Sequence, residues 1–234
     1  MAPVSSTSPL KSALTVILTL PAIALGWALA NSQTPSQATT SSIATVIPIR
    51  SLEMPLGSRV LRRESPKAAI VEFSDFECPF CGRYAREVYP AIKTRFVDTG
   101  LIAYAFKHLP LERIHPTALR ASQASECAGR QGKFWRMHDE LFRHQTDLSL
   151  LRMHSLAGAV GLEPQAFASC LGGDTLKTIR EDQIEAQRLG VTGTPVFFIG
   201  KLASEETLQV TSQIRGAQDL ETFARAIDAT LEQE

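Results

Sequence analysis

The residues of this 234-residue sequence that are best suited to chemistry are Cys78 and Cys81, which are separated by Pro79 and Phe80. A strand is predicted directly before the pair and a helix directly after it. Cys78 is therefore expected at a helix N-terminus, where unpaired N–H groups and the helix dipole stabilise a thiolate. Pro79 suits the first helical position, which needs no N–H. Because Cys81 lies one turn further on, it can attack a mixed disulfide formed on Cys78, and the pair predicts thiol–disulfide exchange.

Zinc binding and a structural disulfide are the other interpretations of this pair. A structural zinc site needs a second close pair of Cys or His, whereas Cys127 and Cys170 stand far apart. A disulfide between adjacent helical turns closes a very small loop and constrains little. We therefore expect no metal. In an exported protein, as the uncharged N-terminal run at 12–30 predicts, two leftover cysteines most often pair. We therefore expect a structural Cys127–Cys170 disulfide, with two buried free thiols as the alternative.

The segments around the pair alternate strand, helix and strand. Residues 68–73 are typical of a buried strand, and the amphipathic period over 79–96 predicts a helix that Pro90 should kink. Residues 101–106 predict a second strand. This order predicts a βαβ unit with parallel strands and a right-handed crossover.

The second half of the domain is mainly helical, and a strand pair and a last helix follow. The sheet is expected to be mixed, with helices on both faces and a helical subdomain inserted at about 112–175. The fold class is therefore α/β. The predicted helices cover 117–128, 134–142, 148–160, 164–171, 176–189 and 220–231, and the predicted strands cover 196–199 and 208–214.

The N-terminal segment predicts export. Residues 12–30 carry no charge and end in Ala28-Leu29-Ala30, the small-x-small pattern of a signal peptide within residues 1–30. The alternative is an uncleaved membrane anchor, since the run is just long enough to span a bilayer. Residues 31–47 predict a flexible tether, and the domain is expected over 48–234. Either interpretation places the domain outside the cytoplasm, in the periplasm or its equivalent, where disulfides persist.

Three motifs in this order resemble the DsbA-like thioredoxin family, over roughly residues 56–231. They are VEFSDFECPFC at 71–81, GKFW with MHD and LF at 132–142, and GVTGTPVFFI at 190–199. The resemblance implies a thioredoxin fold and disulfide exchange with exported proteins that contain cysteines. It implies no cofactor. We expect a monomer, and the balance of 24 basic and 24 acidic residues gives no reason to expect nucleic acid as a partner.

The resemblance also implies roles for single residues. Pro195 matches the cis-proline that faces the active-site disulfide, and the backbone of Thr194 would pair with an extended substrate. Glu72 matches a buried acid that relays the proton of the resolving Cys81. The alternatives are an ordinary loop proline for Pro195, and a water or Lys partner at the sheet edge for Glu72.

Other polar residues near the motifs are given minor roles. Asp75 and Glu77 are expected to be exposed loop charges, and Trp135 and His138 are assigned to packing. The other four histidines, His108, His115, His144 and His154, show no ligand spacing.

Phe80 departs from the family pattern. Strongly oxidising members carry a His at this position, which can donate to the thiolate, and Phe cannot. We therefore expect a milder oxidant. The favoured function is an oxidase that a quinone-linked membrane partner reoxidises. The alternatives are a reductase or isomerase kept reduced by a membrane electron donor, and a non-catalytic metal-binding module of the same fold.

Overall fold

The computed structural model describes residues 51–55, 57–63, 65–173 and 175–232. The predicted export segment at 1–30 and the tether at 31–47 lie outside the described residues. Of the helices in the described part of the chain, none is long and apolar enough to cross a membrane.

A six-stranded mixed sheet forms the centre of the domain and confirms the predicted α/β fold. Its strands in spatial order are β1, β6, β5, β3, β4 and β2. β3 pairs in parallel with β4, as the predicted βαβ unit requires, and antiparallel with β5. The bounds are Ser51–Glu53 for β1, Val60–Leu61 for β2, Ala68–Ser74 for β3, Ile102–His108 for β4, Val196–Ser204 for β5 and Thr207–Arg215 for β6.

The helix predicted over 79–96 is divided into three pieces. α1 covers Pro79–Glu87, α2 covers Tyr89–Ile92, and a π-helical segment covers Lys93–Val97. Pro90 lies in the first turn of α2, where its missing N–H costs nothing. The proline thus begins a new helical segment instead of kinking a continuous one.

The remaining helices lie within a few residues of their predicted positions. Each predicted segment forms one helix, and that over 164–171 matches at both ends. They are α3 (Ala118–Gly129), α4 (Phe134–Arg143), α5 (Leu150–Ala159), α6 (Pro164–Leu171), α7 (Leu176–Arg188) and α8 (Leu220–Glu232).

The sheet is covered on both faces, as the sequence predicts. On one face, Tyr104 and Phe197 pack against Tyr84 of α1 and Phe223 of α8. The other face packs against α7, and α3 to α6 build a separate core. Phe76 belongs to that helical core, so the segment after β3 lies where the sheet meets the helical subdomain.

A buried ionic network joins the start of the domain to the helical subdomain and α7. Arg59 lies 2.5 Å from Asp182 of α7 and 3.3 Å from Glu126 of α3. The backbone N–H of His108 donates to Asp182 at 2.9 Å, and its ring lies 2.8 Å from Glu126. Residues distant in the sequence therefore neutralise one another in the interior.

Candidate active site

Cys78 lies at the N-cap of α1, directly after the loop that leaves β3. Its backbone is extended, and Pro79 opens the helix. Both cysteines are free thiols in the structure. Cys78 keeps 4% of its surface exposed, whereas Cys81 has none. An attacking thiol from another molecule can therefore reach only the first sulfur.

The two thiols have opposite electrostatic environments. The pKa of Cys78 is lowered to about 6, and the largest cause is the hydrogen bond with the Cys81 thiol. Burial opposes this shift. Hydrogen bonds from Thr194 and from the backbone of Cys81 and Phe80 lower the pKa further. Burial raises the pKa of Cys81 well above its ordinary value, and the adjacent Cys78 raises it further. At neutral pH, Cys78 is therefore mainly a thiolate and Cys81 keeps its proton.

This arrangement has a defined pH dependence. Because the pKa of Cys78 in the folded protein lies below that of a free cysteine, the thiolate stabilises the reduced protein at neutral pH. That contribution is lost as the pH falls through about 6. A stabilised reduced form makes the corresponding disulfide more oxidising.

The loop before β5 faces the nucleophile. The Thr194–Pro195 peptide bond is cis, and the Cys78 thiol donates to the Thr194 carbonyl at 3.5 Å. The Pro195 carbonyl accepts from the N–H of Gly216 at 2.8 Å, which fixes the loop to the end of β6. The Thr194 hydroxyl oxygen is buried and makes no hydrogen bond with the described residues. This hydroxyl is the group with which the Thr194 side chain can donate a hydrogen bond to the Cys78 thiolate.

Replacement of Thr194 by valine tests this contact. The shape of the side chain is kept while its donor is lost, so Thr194→Val is expected to raise the pKa of Cys78 above 6. The ultraviolet absorbance of the thiolate, followed against pH in the reduced protein, gives the value. Thr192→Val, at an exposed position of the same loop, is the matched control. An unchanged titration in Thr194→Val would exclude the threonine as a donor.

Glu72 occupies the centre of the sheet, with 1% of its surface exposed. Its Oε2 accepts from the Tyr104 hydroxyl at 2.6 Å, and that hydroxyl lies 3.0 Å from the hydroxyl of Tyr84. Burial raises the pKa of Glu72, and His138, Tyr104 and Ser74 oppose this rise. Its partner is thus a tyrosine in the interior and not a lysine at the sheet edge.

Ser74 is a site residue that sequence reasoning missed. Its hydroxyl is fully buried at the end of β3 and lowers the pKa of both Glu72 and Cys81. The serine therefore connects the buried acid electrostatically to the resolving thiol. A second polar residue beside Glu72 in the mostly apolar β3 was the available signal.

The prediction that Asp75 and Glu77 are exposed loop charges is wrong. Asp75 is fully buried and accepts from the N–H of Leu111 at 2.8 Å, with His115 at 2.7 Å. Glu77 is partly buried and accepts from the N–H and hydroxyl of Thr117, both at 2.7 Å. Both carboxylates hold the active-site loop to the segment after β4.

Gln145 also fixes this loop. Its side-chain amide donates to the carbonyls of Phe76 and Cys78, each at 2.7 Å. The backbone on either side of the active-site turn is therefore held from the helical subdomain. No motif in the sequence pointed to this residue.

Pro79 and Phe80 form the exposed rim of the site. Phe80 keeps 56% of its surface exposed, and the Arg83 guanidinium lies 5.7 Å from its ring centre. The structure therefore offers an apolar surface with a neighbouring positive charge beside Cys78.

Cys127 of α3 and Cys170 of α6 form a disulfide. It closes the helical subdomain and leaves Cys78 and Cys81 as the free pair. In the described part of the chain, no three His, Cys, Asp or Glu side chains are grouped to hold a metal ion.

Comparisons with known proteins agree with this geometry. A family model described as Thioredoxin matches residues 57–229. Among solved structures, α-DsbA1 of Wolbachia pipientis has a TM-score of 0.64 and 26% identity, covering 76% of this chain and 93% of that one. BdbD of Bacillus subtilis has a TM-score of 0.66 at 20% identity, covering 80% and 100%, which shows the same fold.

The curated relatives are longer proteins. The Na(+)/H(+) antiporter NhaA 1 of Mycobacterium sp. (strain KMS) is 38% identical over 152 residues, which are 64% of this chain and 24% of that protein. The protein of the same name from Salinispora arenicola is 40% identical over 139 residues, covering 58% and 20%. The chain thus spans a quarter or less of the length of these relatives.

Proposed function

This chain belongs to the thioredoxin family, in its DsbA-like form, and from that premise we propose that it exchanges disulfides with other proteins through Cys78 and Cys81. The observation that carries the proposal is the opposite titration of two adjacent thiols. Cys78 keeps a small exposed surface of 4% and has a pKa of about 6, whereas Cys81 is fully buried and keeps its proton. Exchange needs one thiol of each kind, one to attack or leave and one to resolve.

In the oxidising direction, a substrate thiolate attacks Cys78 Sγ of the Cys78–Cys81 disulfide. A substrate–Cys78 disulfide forms, the Cys78–Cys81 bond breaks, and Cys81 leaves as a thiolate that takes up a proton. A second substrate thiolate then attacks the substrate sulfur of the mixed disulfide and releases Cys78. The substrate dithiol is oxidised to a disulfide, and the Cys78–Cys81 pair is reduced by two electrons.

The oxidising direction is the favoured part of this proposal. A stabilised Cys78 thiolate is a good leaving group in the last step, which favours transfer of the disulfide to the substrate. Reoxidation would then fall to a quinone-linked membrane partner. A reductase or isomerase kept reduced by a membrane donor is the alternative, because Phe80 cannot donate to the thiolate as a His would.

The substrates we propose are exported proteins with cysteines, bound in extended form. The Thr194 carbonyl, 3.5 Å from Cys78 Sγ, would accept from a substrate N–H once the thiol is engaged, while Pro79 and Phe80 contact apolar side chains. The uncharged run at 12–30 supports action outside the cytoplasm, with the chain either released or anchored there. The protein would act as a monomer.

The experiment that tests this function has two parts. The equilibrium of the pair against a series of reduced and oxidised glutathione gives its potential, and Cys81→Ser should accumulate mixed disulfides on Cys78 because resolution is blocked. A reduction potential of about −270 mV, which is that of thioredoxin, would contradict the oxidising direction. Failure of Cys81→Ser to trap any thiol-containing protein, with Cys78→Ser as the blank, would contradict exchange itself.

A further inference from the structure

We propose that His138, with Asp139, carries protons between the buried Glu72 and the solvent. This inference rests on the proposed function, because it concerns the proton that Cys81 gains or loses at each exchange. The motif around His138 predicts a packing role, but in the structure its ring nitrogens have surroundings that packing alone does not explain.

The outer side of the imidazole has a direct polar contact. His138 Nδ1 lies 2.9 Å from Asp139 Oδ1, and the Asp139 side chain is 51% exposed. A carboxylate is an acceptor only, so Nδ1 carries the hydrogen and Nε2 is left with its lone pair. One side of the ring is therefore connected to solvent through a surface carboxylate.

The imidazole is also close in the fold to a second polar group, the Glu72 carboxyl. His138 is 1% exposed and lies over Phe106, at 5.2 Å between ring centres. Phe106 is the β4 residue in register with Glu72 of β3. After the cost of burial, His138 is the largest influence on the pKa of Glu72 and acts to lower it. The ring and the buried carboxyl thus both lie beside Phe106, and the imidazole acts electrostatically on the carboxyl.

Three buried polar atoms in this region make no hydrogen bond with the described residues: His138 Nε2, Glu72 Oε1 and Trp135 Nε1. The rings of Trp135 and His138 are 5.0 Å apart, and that of Trp135 is 5.9 Å from the ring of Tyr104, which donates to Glu72. Nε2 accepts, the indole donates, and Glu72 Oε1 accepts when the carboxyl is ionised and donates when it is protonated. Buried polar atoms of this kind are commonly hydrogen-bonded to ordered water, which can both donate and accept.

Few other titratable groups face the imidazole. Tyr89 of α2 packs against it at 5.5 Å between ring centres, and its own pKa is raised far above neutrality, so it does not titrate there. Tyr104 of β4 behaves in the same way. Glu72 and Asp139 are therefore the acidic groups between which the imidazole can pass a proton.

The proposed transfer begins when Cys81 leaves the disulfide as a thiolate. It takes a proton from the Glu72 carboxyl, beside which Ser74 lies. The Glu72 carboxylate then takes the proton on Nε2 of His138 through ordered water, while Nδ1 takes one from solvent by way of Asp139. The ring is left with its hydrogen on Nδ1, which is the tautomer assigned above to the protein with free thiols. The reverse sequence removes the proton of Cys81 when the disulfide forms again. His138 is thus a positioning and relay residue that touches neither sulfur.

The test follows reduction of the oxidised protein by dithiothreitol under single-turnover conditions. His138→Phe keeps an aromatic ring within the aromatic cluster and removes both nitrogens. We expect it to slow release of Cys81 about tenfold at neutral pH, to change the pH profile and to enlarge the solvent isotope effect. Asp139→Asn should act in the same direction, and Glu140→Gln, on the same helix, should match the wild type.

A second measurement is independent of turnover. The infrared band of the protonated Glu72 carboxyl, assigned by its loss in Glu72→Gln, should titrate at higher pH in His138→Phe, because His138 lowers the pKa of that group. A wild-type rate, isotope effect and infrared titration in His138→Phe would overturn the relay. If that variant fails to fold, an unchanged rate and isotope effect in Asp139→Asn would do so. Whatever the outcome for the relay, exchange of the wild-type protein with glutathione would leave the proposed function standing. If the wild-type protein does not exchange with glutathione, the proposed function is refuted, and the two failures are thereby distinguished.

Discussion

Replacing Cys81 by alanine is expected to move the pKa of Cys78 from about 6 towards the ordinary cysteine value of about 8.5. The thiol of Cys81 is the largest influence that holds this pKa down, and alanine offers no donor. Serine keeps a hydroxyl at the same place and should hold the pKa closer to 6. The two variants therefore separate the loss of the donor from the loss of the second redox group.

The raised pKa in Cys81→Ala is expected to lower the nucleophilic reactivity of Cys78 strongly. A complete return to the ordinary value would leave roughly thirtyfold less thiolate at pH 7. Alkylation by iodoacetamide as a function of pH, with the ultraviolet absorbance of the thiolate as a second probe, measures both the pKa and the rate. Coincident titrations of Cys81→Ala and Cys81→Ser, both near 6, would show that the helix N-terminus and Thr194 suffice without this donor.

Removal of the Cys127–Cys170 disulfide is expected to have the largest effect on stability. The bond links α3 to α6 across a sequence separation of 43 residues. In the chain-entropy account, release of a loop of that length lowers the free energy of unfolding by about 4 kcal/mol. For a domain whose whole stability is of the order of 5–15 kcal/mol, this is a large share.

Urea denaturation of the Cys127→Ala/Cys170→Ala double variant measures this loss, with Cys78 and Cys81 kept reduced in both proteins. The pKa of Cys78 should stay at about 6, because neither residue contributes to it. A loss below about 1 kcal/mol would mean that the packing of Phe134, Met153 and Phe167 holds the helical core without the bond.

Local features of this protein follow well from its sequence. The helix start at Cys78 and the buried β3 depend on neighbouring residues, and the periodic patterns of α3 to α8 gave their positions within a few residues. The strands β1 and β2, of three and two residues, were missed because such segments are too short to show alternation.

Contacts between distant segments could not be predicted in the same way. Asp75 was expected to be exposed because its partners, Leu111 and His115, come from the segment after β4. Gln145 reaches the active-site loop from beyond the end of α4 and belongs to no motif. Polar residues that support the thiols can be recognised only in the folded structure, because their role depends on their contacts with distant segments.

The ionic network around Arg59 makes the segment before β3 part of the folded domain. A shortened chain that began at β3 would keep every residue of the βαβ unit and both redox cysteines. It would also remove the guanidinium that lies beside Asp182 and Glu126. Asp182 would keep Lys107 at 3.8 Å, and Glu126 would keep the ring of His108 at 2.8 Å. The stretch before the first long strand therefore supplies one of the charges that stabilise helices more than sixty residues away.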